Sequence, residues 1–245
     1  VRSVADILQL SLNTGAVYLL KQMGGGDVNK KARENWHDYM VNHFRLGQAT
    51  GIEQGYEAEG TIPDPNKGFG LNIQYANTSF GQGMTATPIQ MGAALSAIIN
   101  GGKYYRPHLV EQTTDGQGRV TNKKPEVLKS DVVSEQTSQD MRDLLVNVVD
   151  KNYGLYGMAK PSGAYSIGGK TGTAEITKPG GGYYSDKFNG TFMGFVGGDK
   201  PEYVIVVRVN EPKLPGYAGA KTAAPIFTAA TNMLINNFGV TPKGQ

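Results

Sequence analysis

The sequence contains no cysteine. No disulfide can staple this fold, and no thiolate can hold a metal or act as a nucleophile. The lack of thiols suits an oxidising compartment, although cytosolic chains also do without them. Histidine is scarce too. His37, His43 and His108 stand at no metal-ligand spacing with one another, so the sequence offers no metal centre and implies no cofactor. The single tryptophan, Trp36, lies in a run with helical spacing, where it reads as a core anchor. No apolar run approaches the roughly 20 residues that cross a bilayer. The opening Val1-Arg2-Ser3 is no signal peptide, so membrane attachment is expected only through a segment outside the chain. A start at Val1 without methionine reads as an excised piece.

Charge is sparing as well. Asp, Glu, Lys and Arg make up 18% of the 245 residues and the net charge is +3. The basic residues are scattered and form no nucleic-acid footprint. The apolar share of 39% fits a folded chain. The length allows one large domain with a substantial core, and no repeat or linker divides residues 1–245. What abounds is glycine, 34 residues in all, which predicts tight turns and close backbone approaches.

Ser3 is placed to cap a first helix through Leu10, and a second runs from Thr14 to Met23 before Gly24-Gly25-Gly26 stops it. Asp27 is expected to cap a third helix through Trp36, Met40 and Phe44. Residues 47–80 read as loop, rich in Gly and Asn with Pro63 and Pro65. Thr87-Pro88-Ile89-Gln90 is a strong helix start, with a Thr cap, Pro in the first turn and Gln three residues after the cap. Residues 104–127 read as irregular strands around the turn Asp115-Gly116. An amphipathic helix follows from Ser134. Then come three neighbouring strands, Tyr165 to Ile176, Thr191 to Val196 and Tyr203 to Val209, and a closing helix from about Gly219. The apolar run Val204-Ile205-Val206-Val207 predicts a strand covered on both faces. Together these give an α+β fold, an antiparallel sheet flanked by helices.

Two short constellations carry polar groups suited to chemistry. Ser11-Leu12-Asn13 sits at a helix–helix junction, where both polar residues also read as caps. Lys170-Thr171-Gly172-Thr173 lies mid-strand behind Gly168-Gly169. A lysine on an edge strand also serves simply to discourage aggregation. Yet three glycines in one strand point to close backbone approach, and one Lys with two Thr hydroxyls could grip the carboxylate of an extended peptide added to the sheet. Gly169-Lys170-Thr171 matches the end of a phosphate-binding loop, but Ala164 stands where that motif needs glycine, and no helix start follows.

In this order the two constellations resemble the second and third motifs of the penicillin-binding proteins. Further segments resemble class B enzymes of that family: Phe80-Gly81-Gln82-Gly83, Thr87-Pro88-Ile89-Gln90, Asn100-Gly101-Gly102, Arg106 to Val110, Asn189 to Gly197, and Ala224-Pro225-Ile226-Phe227. The family's first motif, Ser-x-x-Lys, occurs nowhere in the sequence. The resemblance therefore implies an incomplete transpeptidase domain over residues 1–245, of penicillin-binding or β-lactamase-like fold, with its nucleophile outside the chain.

The resemblance also implies a chemistry, D,D-transpeptidation, in which a serine takes an acyl group from a D-Ala-D-Ala stem peptide and passes it to an amine of another stem peptide. Ser11 would relay a proton and Asn13 would bond the substrate amide. Lys170 would steady Ser11 and attract the substrate carboxylate, which Thr171 and Thr173 would hydrogen-bond. Gly172 would keep the strand clear, and the Thr173 N–H would form half of an oxyanion hole. Implied partners are stem peptides, β-lactams and division or elongation proteins, at the extracytoplasmic face of a bacterial membrane. A β-lactam sensor domain and a non-catalytic scaffold are the rival readings. A fragment of this kind is expected to expose apolar surface on the strands and on the helix after Ser3.

Overall fold

The computed structural model describes residues 2–159, 163–214 and 218–245; Val1 lies outside them. The chain opens with two short helices, α1 (Val4–Gln9) and α2 (Asn13–Met23). Ser3 and Asp6 close a reciprocal capping box at the start of α1. Its apolar residues stay partly in solvent: none is buried, and Val4 and the C-cap residue Leu10 are exposed, as expected after Ser3. The glycine run ends α2, with Gly25 and Gly26 both at positive φ.

Asn29, two residues beyond the expected Asp27, caps α3 (Lys30–Asp38) by accepting the Ala32 N–H at 3.0 Å. Asp27 turns its carboxylate back on the Val28 N–H instead. The helix continues to Phe44 only by widening into a π-turn over Tyr39–His43. Residues 47–80 are not all loop, because Leu71–Thr78 form α4. This helix is held from outside itself. Its Tyr75 is fully buried, and Trp36 of α3 donates its indole N–H to Thr78 Oγ1 at 3.1 Å.

The capping box at Thr87 starts α5 (Pro88–Ile99) as the sequence predicts. Gln90 is fully buried, yet its amide donates to the carbonyls of Gln48 and Glu59 at 2.7 and 2.8 Å and accepts the Thr87 N–H, so this amide is not stranded. Residues 104–129 form two small antiparallel pairs. β1 (Tyr104–Tyr105) lies beside β4 (Val127–Lys129), and β2 (Gln112–Thr114) pairs with β3 (Val120–Asn122) around the Asp115 turn. Ser134 caps the long α6 (Glu135–Asn152).

The main sheet is antiparallel, with β6 (Tyr183–Gly197) between β5 (Ser166–Thr177) and β7 (Pro201–Asn210). The middle strand begins well before the expected Thr191, because Tyr183 to Asn189 pair with the far half of β5. A π-turn over Gly219–Ala223 leads into α7 (Ala224–Asn237). One sheet face carries Met193, Phe195 and Val204 against Leu95 and Ile99 of α5 and Leu145 of α6. The other carries Phe192, Ile205 and Val207 in a cluster with Ala224 and Phe227 of α7. The apolar run in β7 is thus covered on both faces, as its composition requires. The exposed apolar surface expected on these strands is not found among the described residues, because helices pack on both sides of the sheet.

Gly168 permits the approach of α6, since a Cβ there would meet the Phe195 ring and the Val146 backbone nitrogen. The densest packing centres on Phe192. Its ring stacks on Phe227 at 4.1 Å between centroids and meets Tyr156 edge-on at 5.3 Å. Truncating it leaves a cavity no neighbour can fill, so Phe192→Ala should lower the unfolding free energy by about 3–5 kcal/mol. Urea denaturation measures this, and a loss below about 1 kcal/mol would show that the ring does not hold the layers together.

Candidate active site

The site is built where the end of α1 meets the outer edge of β5. The first helix closes with the hydrogen bonds of a Schellman motif, Ser11 N–H to Leu8 O at 3.2 Å and Leu12 N–H to Ile7 O at 3.0 Å. That motif needs a left-handed residue just past the helix, normally glycine, and Ser11 occupies the position with φ +53. A left-handed L-residue costs roughly 1–2 kcal/mol. A hydroxyl is therefore kept where glycine would be the relaxed choice. Neither Ser11 nor Asn13 is a helix cap: Leu12 is the N-cap of α2 and makes no side-chain cap bond.

The hydroxyl has a partner 159 residues along the chain. Lys170 Nζ donates to Ser11 Oγ at 2.9 Å and to the Thr171 carbonyl at 2.9 Å. The lysine is half-buried and faces no carboxylate within ion-pairing distance among the described residues. Removal from water disfavours its charged form, and its pKa falls to about 8. An amine poised there attracts an anion while protonated and accepts a proton when neutral, both within reach of one hydroxyl.

The residues after Lys170 are placed by the sheet register. Thr173 Oγ1 accepts the Gly219 N–H at 3.1 Å, tying β5 to the π-turn before α7. Gly172 pairs with Thr191, and an added Cβ would run into the Thr191 hydroxyl, while a Cβ on Gly219 would run into the Gly172 carbonyl. Backbone packing thus requires glycine at 219, and at 172 a side chain would have to displace the Thr191 hydroxyl.

Ser11, Asn13, Lys170, Thr171, Gly172 and Thr173 all line one cleft of about 640 Å³. The six residues singled out from sequence come together at one place. The cleft has further walls that sequence reasoning missed as site residues. Asn77, Ser79, Phe80 and Gln82 form one side, and Glu175 and Tyr183 extend the strand side. The first group is delivered by α4, whose C-terminal carbonyls hold the following turn: Asn77 O accepts from Phe80 and Gln82. Glu175 was detectable from alternation, because it shares a strand face with Thr171 and Thr173.

The family model of the penicillin-binding protein transpeptidase domain matches residues 1–232. The chain belongs to that family. The stage V sporulation protein D of Bacillus subtilis is 35% identical over 97% of the chain, and the penicillin-binding protein PbpB of Mycobacterium tuberculosis is 33% identical over 89%. The chain spans about a third of the length of these relatives, 35% and 31% respectively. Among solved structures, a penicillin-binding protein 3 of Mycobacterium tuberculosis complexed with ampicillin aligns with a TM-score of 0.80 at 29% identity. That match covers 99% of this chain and 52% of the other. The α+β transpeptidase fold read from the sequence is the fold observed. Within this penicillin-binding fold, no helix among the described residues is long and apolar enough to cross a membrane.

The depressed lysine gives a titration with a definite sign. The unfolded chain holds the Lys170 proton up to its ordinary value of 10.5, and the folded chain releases it near 8. Between those values the unfolded state binds more protons, so this group makes stability rise with pH across that window. Below it the cost of the desolvated charge is carried in full. In an NMR titration of labelled lysine side chains, one resonance should move with a midpoint near 8 and vanish in Lys170→Arg. Midpoints above about 10 for every lysine would show that the amine is solvated.

Proposed function

We propose that this chain forms the substrate-gripping part of a peptidoglycan D,D-transpeptidase, and that β-lactams compete for the same cleft. The observation that carries the reading is the hydrogen bond from Lys170 to Ser11, which joins the family's second and third motifs across the cleft at 2.9 Å. The nucleophilic serine is assigned to a Ser-x-x-Lys segment outside this chain, since no such motif occurs in it. The ampicillin complex of the mycobacterial protein supports the expectation that this cleft also receives β-lactams.

Acyl transfer then proceeds by two displacements. The serine oxygen attacks the carbonyl carbon of the penultimate D-Ala, the C–N bond breaks, and the departing D-Ala amine takes a proton relayed by Ser11. An amine of a second stem peptide then attacks the ester carbon, loses its proton through the same hydroxyl, and frees the serine. Lys170 contributes in both steps by holding positive potential beside Ser11, which stabilises the hydroxyl as it gives up its proton. Thr171 and Thr173 take the terminal carboxylate, Asn13 the substrate amide, and the Thr173 N–H supplies one donor to the developing oxyanion. The parent protein would work at the extracytoplasmic face of the membrane, with division or elongation proteins as partners.

The test uses the full-length protein. Lys170→Ala should slow acylation by a fluorescent penicillin on the order of 10²-fold or more. The melting temperature should not fall in proportion, because the variant also sheds a desolvated charge. Acylation within a factor of two of the parent would reduce Lys170 to a structural residue.

A further inference from the structure

Among the described residues, the cleft lining carries one cationic side chain, Lys170, and one carboxylate, Glu175. The amine is accounted for by Ser11. Glu175 is not accounted for by anything in the fold. Its carboxylate is exposed, and among the described residues no hydrogen bond or ion pair engages that carboxylate. The basic groups of the neighbouring strand end are occupied elsewhere: Lys187 pairs with Glu211 at 3.0 Å, and both Lys178 and Lys187 lie over the Tyr184 ring. A lone carboxylate in a cleft that otherwise receives a carboxylate is a liability unless the ligand brings a positive charge to that end.

We propose that Glu175, flanked by Tyr183, forms a subsite for an ammonium group on the side chain of the stem peptide held in the cleft. The inference rests on reading the cleft as the stem-peptide site. The reaction itself requires stem peptides to carry an amine, since one of them serves as acyl acceptor, so a donor of the same composition carries one too. Strand geometry sets the distance. Thr171, Thr173 and Glu175 share one face of β5, spaced about 7 Å apart at each step of two residues. A peptide whose terminal carboxylate lies at Thr171 and Thr173 and whose earlier residues run toward Thr177 is antiparallel to β5 and uses its free outer edge. Its third residue from the end then lies roughly 7 Å upstream of the carboxylate. A flexible alkylamine on that residue spans the remaining distance to Glu175.

Tyr183 suits the same ligand. It lines the cleft beside Glu175 and sits on β6 opposite Thr177, so its ring borders the path of an alkylamine chain and offers a face to the cation. The cleft is then bipolar, with a cationic end for the ligand's carboxylate and an anionic end for its amine. That arrangement fixes the direction in which the peptide lies along β5, and it selects against stem peptides whose amine is blocked.

Equilibrium titration of the chain tests this with two peptides ending in Lys-D-Ala-D-Ala, one with the lysine amine free and one with it acetylated. The free-amine peptide should bind tighter at low salt by up to about fivefold, the upper end of the range of a solvent-exposed ion pair, and the preference should shrink as salt is added. Glu175→Gln should bind both peptides with the affinity the native chain shows for the acetylated one. Equal binding of both peptides by the native chain would overturn the subsite and leave the stem-peptide reading standing. A preference that survives in Glu175→Gln would overturn the assignment to Glu175. Saturable binding of neither peptide would overturn the stem-peptide reading and the subsite with it.

Discussion

Everything the cleft offers depends on one hydrogen bond, the 2.9 Å contact between Lys170 Nζ and Ser11 Oγ. It joins the turn that ends the first helix to the outer strand of the main sheet. Both partners are held at a cost. Ser11 occupies a left-handed position that glycine would fill more easily, and Lys170 gives up solvent around a charge. The two meet in the lining of the cleft. Strain and desolvation that meet at one pair of atoms are the pattern of functional sites, and they support the proposal that this pair serves chemistry.

The rest of the molecule can be read as support for that pair. The Phe192 stack and the α5–α6 cluster lock the two faces of the sheet, so β5 has little freedom to shift its register. Glycines at 168 and 219 let a helix and the π-turn lie directly against the strand that carries Lys170. On the far side, Gln9 of α1 is tied to Asn152 of α6, which anchors the helix whose end presents Ser11. The hydroxyl and the amine thus approach each other from elements fixed by one continuous core.

Much of this was legible in the sequence, for local reasons. The Ser3 and Thr87 caps mark their helices because a cap is a contact within three residues. Ser11, Asn13 and Lys170 to Thr173 stand out because the family's motifs are short and contiguous. What escaped was tertiary. Leu71–Thr78 carries little amphipathic signal and follows Gly70 at positive φ; it is a helix because Tyr75 is buried and Trp36 bonds Thr78. With that helix unseen, Asn77, Phe80 and Gln82 could not be placed in the cleft. The left-handed turn at Ser11 was also invisible, since serine at such a position runs against preference.

The central claim is that Ser11 and Lys170 act as a unit. A double-mutant cycle on the acylation rate of the full-length protein tests it most directly, with Ser11→Ala, Lys170→Ala and the pair together measured against one fluorescent penicillin. Groups that act as a unit are lost together. The account predicts that the double variant is no slower, within about a factor of three, than the slower single variant. Losses that multiply across the two substitutions would show that hydroxyl and amine work independently, and would contradict it.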